Sequence, residues 1–452
     1  MRVFKLLRLA LAVGLLAAFF TPRHTVLAIS TYTSGFQVQN LSGSTANITL
    51  AYYNQDGTTA ASVGDTISAN GSKTYFPLTA VSSGFNGSVV ISSDQAIAAI
   101  ANVLGDNGAF GASYDAFSSG ATTVYLPLIM RGNSGFNTWF NVQNTGTSTA
   151  TISITYTPGS SGSPMTESSI TIPPGAAKTF DQSTSNYTGL GAKFVGSAVI
   201  TSNQPVVATA MEVGPTTLFA YDGFAGGSTN LAIPLVNANN SGYVTGIQIQ
   251  NLGGSATNVT LSYTPSAAGT ACTETQTINA GASATFAFNA FAATVAGENC
   301  ANGVKFVGSA TVSANSASQN LVAIVNQLNT PANKGASYNA FDPAGGTSSV
   351  SLPLIMDRNS NYYTGWSILN VGSDATTVNV TCSNTAVTFN SGSLAAGAAY
   401  TAVQLNAIAA PYVGSCTATA SGGTDNKIVA IVNELNSVSA GDAFLVYEGF
   451  NN

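Results

Sequence analysis

The chain of 452 residues contains one histidine, four cysteines and two tryptophans, and only 7% of it is Asp, Glu, Lys or Arg. The histidine, His24, lies in the N-terminal lead, so the remainder has no imidazole for a Ser-His-Asp or Cys-His constellation or for a histidine metal site. Basic residues are scattered and form no stripe, which excludes nucleic acid as an expected partner. No Lys/Arg cluster exists to hold an anionic membrane surface. The hydrophobic content of 45% is dispersed, so no segment after residue 28 reaches membrane-spanning length. That same content argues against disorder, which goes with low hydrophobicity and high net charge.

The lead has its own character. Arg2, Lys5 and Arg8 precede an apolar run from Leu9 to Phe20, and Val26-Leu27-Ala28 ends in a small residue. This is the three-part layout of a secretory signal peptide, predicted over residues 1–28 as a short helix and removed before Ile29. Its removal takes four of the 12 basic residues and none of the 18 acidic ones, leaving eight against 18 and a net charge of −10. The predicted location is secreted, extracellular and at the cell surface.

One phrase then occurs four times: FQVQNLSGSTANITLAYY from Phe36, FNVQNTGTSTATISITYT from Phe140, IQIQNLGGSATNVTLSYT from Ile247 and WSILNVGSDATTVNVTCS from Trp366. Its asparagine falls at Asn40, Asn144, Asn251 and Asn370, spaced by 104, 107 and 119 residues. Three landmarks follow in the same order in every copy. They are a turn glycine (Gly71, Gly175, Gly281, Gly397), an aromatic-x-Gly-Ser step (Phe85, Phe194, Phe306, Tyr412) and a closing Tyr-x-x-Phe (Tyr114, Tyr221, Tyr338, Tyr447 and the aromatic three residues on). Repeats of about 105 residues are domain-sized, not solenoid-sized. The boundaries read as 29–122, 123–228, 229–346 and 347–452.

Within a repeat, short β-branched and aromatic runs are bounded by Gly, Pro, Asn and Ser. In TATISITYT, Ala150, Ile152, Ile154 and Tyr156 share one face and the hydroxyl residues the other, as in a sheet with one face on a core and one in water. Two such sheets packed face to face form a β-sandwich. The layout N-x-G, then A-x-[IV]-x-[IVL]-x-Y, then PPGAAKTF from Pro173 to Phe180, resembles the tandem Ig-like repeats of bacterial secreted and cell-surface proteins. The resemblance covers each repeat once. It implies an all-β chain of four tandem immunoglobulin-like β-sandwich domains, but no particular activity. The short joints between repeats predict a rod.

Site-bearing residues are few. Cys272 and Cys300 fall in the third repeat, Cys382 and Cys416 in the fourth, and an even count in an exported chain predicts two disulfides within domains. Cys382 aligns with Tyr263 and Cys416 with Ala310. The residue after the closing tyrosine is Asp115, Asp222, Asn339 and Glu448. An amide in the third copy means ionisation is not required there, so a structural polar residue is expected and no catalytic residue is assigned. Loops at Met130–Phe136, Val236–Tyr243 and Met356–Tyr363 invite calcium, but Asp357 is their one carboxylate, so no metal or other cofactor is expected. Trp139 and Trp366 read as sheet core, and Tyr362 and Tyr363 as an exposed contact surface.

A last landmark occurs three times for four repeats. Leu126-Pro127-Leu128, Ile233-Pro234-Leu235 and Leu352-Pro353-Leu354 lie between repeats and are absent at both chain ends. One terminal sandwich is therefore expected to have an unpaired edge, a template for strand addition and for self-association head-to-tail. The chain is expected to be a non-enzymatic extracellular structural protein, a building block of a surface layer, sheath or filament. The alternative is an adhesin or carbohydrate-binding protein recognising cell-surface glycans.

Overall fold

The computed structural model describes residues 29–288, 303–408, 411–436, 438 and 441–451. The lead read as a signal peptide lies outside the described residues. No helix among the described residues is long and apolar enough to cross a membrane. The chain is all-β and forms sandwich units built on the same plan.

Unit 3 shows the plan. One sheet runs Asn230–Ala238, Phe306–Ala314, Thr257–Ala268, Cys272–Ile278 in spatial order; the other runs Ser283–Phe288, Val244–Asn251, Leu321–Asn329, Lys334–Asn339. We call Asn230–Ala238 the opening strand, Val244–Asn251 the phrase strand and Lys334–Asn339 the closing strand. Unit 4 repeats the plan with opening strand Ser349–Asp357, phrase strand Tyr362–Asn370 and closing strand Phe444–Glu448. In unit 2 one long strand, Phe194–Val213, pairs the opening strand Ala121–Arg131 with its first part and the phrase strand Asn137–Asn144 with its second, joining both sheets. The alternation predicted for TATISITYT holds: Ala150, Ile152, Ile154 and Tyr156 are fully buried.

The phrase asparagine locks each unit. Asn144 Nδ2 donates to Ser148 O at 2.8 Å and Ile172 O at 2.9 Å, and its Oδ1 accepts from Gly146 N at 2.9 Å. Asn251 makes the equivalent bonds to Ser255, Ile278 and Gly253, and Asn370 to Asp374, Leu394 and Gly372. The closing tyrosine ties the opening strand. Tyr221 OH donates to Leu128 O, Tyr338 OH to Leu235 O and Tyr447 OH to Leu354 O, at 2.6, 2.5 and 2.7 Å.

These bonds settle which repeat owns the Leu-Pro-Leu segment: it opens the following unit. Among the described residues, unit 1 therefore has no opening strand. Its phrase strand, Tyr32–Asn40, lies in a four-stranded sheet, but its second sheet has only Thr59–Ile67, Ala46–Asn54 and Gly87–Ser93. Its closing strand is Phe110–Asp115.

The expected rod is not what forms. The four closing strands pack beside one another in cyclic order, unit 4 returning to unit 1. Asp442 N donates to Ala109 O at 2.7 Å and Gln37 Nε2 to Pro353 O at 2.8 Å, both between units 4 and 1. The physical reason lies on the faces expected to meet water. Gln37, Gln39, Gln248 and Gln250 are at most 3% exposed, because the phrase sheets of units 1 and 3 lay their polar faces against a neighbouring unit. Serines of the aromatic-x-Gly-Ser step bridge successive units: Ser88, Ser197 and Ser309 Oγ donate to the carbonyls of Gly175, Gly281 and Gly397. Those three turn glycines sit at φ of 75°, 70° and 74°, a left-handed conformation that a glycine adopts without strain.

Other expectations divide. Cys382 and Cys416 face each other in register across adjacent strands and form a disulfide, at the position where unit 3 pairs Tyr263 with Ala310. Cys272 is buried and not free, while Cys300 lies outside the described residues. Trp366 is core, 1% exposed. Trp139 is not: it sits one residue earlier in its phrase strand than Trp366 does, on the opposite face, and packs half-buried beside Tyr32 between units 1 and 2. The predicted exposed contact at Tyr362 and Tyr363 is also half-buried, with Tyr362 lining a cavity between units 4 and 1. Asp357, the carboxylate of the calcium-like loops, is wholly buried and accepts from Asn406 N, Ile408 N and Arg358.

Candidate functional site

The recurring position after the closing tyrosine becomes one site only because the units close on each other. Asp115 N donates to Asp222 Oδ2 at 2.9 Å, Asp222 N to Asn339 Oδ1 at 3.1 Å, and Asn339 N to Glu448 Oε1. Asn339 Nδ2 returns a bond to Asp222 O at 2.8 Å. Units 1, 2 and 3 thus each hand a backbone N–H to the side chain of the next. One carboxyl oxygen from each of Asp115, Asp222 and Glu448 lies within 4.8 Å of the other two.

Three carboxyls so close cannot all ionise cheaply. Burial, and then the neighbouring Glu448 and Asp222, raises Asp115 well above the usual carboxylate range. Burial and Glu448 raise Asp222 likewise, and burial lifts Glu448 to about 7. The cluster therefore holds protons near neutrality. Asp222 and Glu448 accept backbone N–H groups of the neighbouring unit, which is a structural use of an acid, while Asp115 Oδ1 is buried without a partner. The amide at Asn339 fits the same geometry without a charge.

The other end of the closing strands is held by Asp442, which is fully buried. Its Oδ2 accepts from Leu218 N at 2.7 Å and its Oδ1 from Gly335 N at 2.8 Å. With Asp442 N bound to Ala109 O, one residue of unit 4 touches units 1, 2 and 3. Burial pushes its carboxyl up to about 8, and the N–H groups of Leu218 and Gly335, then Lys334, lower it only in part.

Between these ends, each seam repeats one contact. In the strand that pairs with each closing strand, the residues one and two positions past the partner of the closing tyrosine are Asn102-Val103, Met211-Glu212, Asn326-Gln327 and Asn433-Glu434. The second residue of one unit meets the first of the next. Asn326 Nδ2 donates to Glu212 Oε2 at 2.8 Å; Gln327 Nε2 donates to Asn433 Oδ1 at 3.0 Å; Asn102 Nδ2 donates to Glu434 Oε2 at 3.1 Å. At the seam of units 1 and 2 the pair is apolar, Val103 with Met211 in one cluster. Burial raises Glu212 and Glu434 each to about 8, the amide beside each opposing it.

Sequence reasoning identified the recurring Asp115, Asp222, Asn339 and Glu448 but treated them as one per domain. It missed Asp442 and the seam pairs, which no local motif announces. The available signal was a polar residue kept at one repeat position while its chemistry changed, as expected where four copies meet.

No curated protein matches the chain. The crystal structure of Thermotoga maritima 1070 is similar at 26% identity, over 23% of this chain and 94% of that one, with a TM-score of 0.20. Residues 25–183 match the model of a family of unknown function, DUF5719.

Proposed function

We propose that the chain is a non-enzymatic extracellular structural protein, a building block of a bacterial surface layer, sheath or filament, with its sandwiches read as immunoglobulin-like. The observation that carries this reading is the use made of the acids. Asp222, Glu448 and Asp442 each receive backbone N–H groups from neighbouring units, so these buried acids serve to close the units into a block. The absence of histidine after residue 24 and the secretory layout of the lead support the same reading. Head-to-tail addition between copies lacks a donor among the described residues, because each of the three opening strands is paired in its own unit.

Electron microscopy of the culture fluid and cell surface of the native host tests the proposal. Ordered extracellular material labelled by an antibody to this chain is the expected result. Retention inside the cell, or only dispersed single particles at high concentration, would overturn it.

A further inference from the structure

Among the described residues, unit 1 has the strand against which an opening strand would pair but not the opening strand itself. Among the described residues, Gly87–Ser93 is paired on one side only, by Ala46–Asn54, whereas its counterparts in units 2, 3 and 4 carry an opening strand on the other side. Phe85, Val89 and Ile91 are only partly buried. Their counterparts Phe194, Ala198 and Ile200 are fully buried, with Ala198 opposite Leu126 and Ile200 opposite Val124.

Two polar groups are also left over. The closing tyrosines of units 2, 3 and 4 donate to the carbonyl of the leucine after the proline; Tyr114, their counterpart, has no such carbonyl in unit 1. At two of the seams, the residue three before the phrase asparagine donates to the proline carbonyl of the preceding unit: Ser367 Oγ to Pro234 O at 2.9 Å, and Gln37 Nε2 to Pro353 O at 2.8 Å; Gln248 at a third seam donates to Ser283 Oγ instead. Asn141 holds that position facing unit 1. It is half-exposed where Gln37, Gln248 and Ser367 are at most 3% exposed, and its Oδ1 is occupied by Thr179 Oγ1, leaving Nδ2 for an outside acceptor.

We propose that the Gly87–Ser93 edge, with Tyr114 and Asn141, is a slot for an extended segment of another polypeptide carrying the pattern apolar-x-[Leu/Ile]-Pro-Leu-[Ile/Val]. The segment runs antiparallel to Gly87–Ser93, as the opening strands do to their partners. Its proline falls where the ladder shifts register, between Gly196 and Ala198 in unit 2, so its missing N–H costs nothing there. A second copy is a poor donor because its own three segments are in use. The first described residues, from Ile29 to Tyr32, are also turned elsewhere. The tight turns at Asn133–Phe136, Asn240–Tyr243 and Asn359–Tyr362 precede the other phrase strands. In unit 1 the phrase strand instead continues outward to Tyr32, opposite Gly105, and Ile29 packs against the cluster of Phe110, Met211 and Leu218. The inference rests on the proposed structural role only in taking the partner as part of an assembly.

A labelled peptide with the sequence of residues 123–130, TVYLPLIM, is titrated into the full-length chain and into the chain starting at Ile29, with fluorescence anisotropy as the readout. Saturable binding at one peptide per chain is expected. Tyr114→Phe and Asn141→Asp, both at positions that are not fully buried, should each weaken it by roughly tenfold or less and by more together, since one hydrogen bond contributes ~1 kcal/mol. Serine in place of both leucines should abolish it. No binding to either chain, or binding indifferent to the leucines, overturns the slot. Binding confined to the chain starting at Ile29 overturns the choice of partner and gives the slot to the lead. Microscopy decides the structural role separately: dispersed protein that still binds the peptide would sink that role and leave the slot standing.

Discussion

Glu212 and Asn326 meet across the seam of units 2 and 3 one hydrogen short of a complete pair. Asn326 Nδ2 donates to Glu212 Oε2 at 2.8 Å, while Glu212 Oε1 and Asn326 Oδ1 are both buried without a partner. At the next seam Gln327 and Asn433 exchange two bonds, at 3.0 and 3.4 Å, as a neutral amide pair. A protonated Glu212 is the acid equivalent of that amide pair, with Oε1–H donating to Asn326 Oδ1. Burial, which lifts Glu212 to about 8, acts in the same direction.

The pH dependence of stability follows. Between the ordinary carboxyl value near 4.5 and about 8, folded Glu212 and Glu434 hold protons that the unfolded chain has lost. Stability therefore falls as pH rises through that window and levels off above it, by on the order of a few kcal/mol per glutamate. Urea denaturation at pH 5, 7 and 9 should show the decline. Glu212→Gln should reduce the slope and stabilise the protein at pH 9; an unchanged slope would mean that another group titrates.

Asn339 keeps a fourth charge off the closing strands. Asn339→Asp removes the bond to Asp222 O and adds a carboxyl beside three others, at a cost of ~1–3 kcal/mol at pH 8 and less at pH 5. Asp115→Asn should be far milder at pH 8, because it copies the chemistry of the third unit. Thermal melts of the two variants at both pH values check the contrast.

Asn144 and Asn141 make a matched pair for a stability experiment. Asn144→Ala leaves two carbonyls and one N–H without their side-chain partner inside unit 2, and should cost ~2–4 kcal/mol. Asn141→Ala, three residues earlier and half-exposed, should cost well under ~1 kcal/mol. Chemical denaturation followed by tryptophan fluorescence reads both.

The Cys382–Cys416 disulfide closes a separation of 34 residues, and its loss through Cys382→Ser with Cys416→Ser should cost ~2–4 kcal/mol. Units 1 and 2, which have no cysteine, should melt as before. Hydrogen exchange resolved by peptide would place the loss in unit 4.

Much of the unit was legible in the sequence because it is local. The alternation in TATISITYT, the repeated asparagine and the tyrosine before the recurring acid all act within one repeat, where spacing alone specifies the partner. The closure of four units was not legible, since a rod and a ring need the same buried face in every strand. The glutamines of FQVQN and IQIQN occupy the polar face in either case; only the structure tells that Gln37 and Gln250 are sealed from water. Trp139 was misplaced for a related reason: read with Trp366, it falls one residue out of step and so on the other face. Ownership of Leu-Pro-Leu depended on strand pairing, which its position between repeats left open.

The shortened first unit also fixes a valency. Four separate identical subunits arranged in a ring would present four equal edges and could branch in every direction. Fusing the units into one chain, with one unit among the described residues having no opening strand, leaves one proposed slot per particle, set beside the apolar seam of Val103 and Met211. A partner that docks there meets each block once and in one orientation, so whatever is built from these blocks inherits a direction from the covalent order of the repeats.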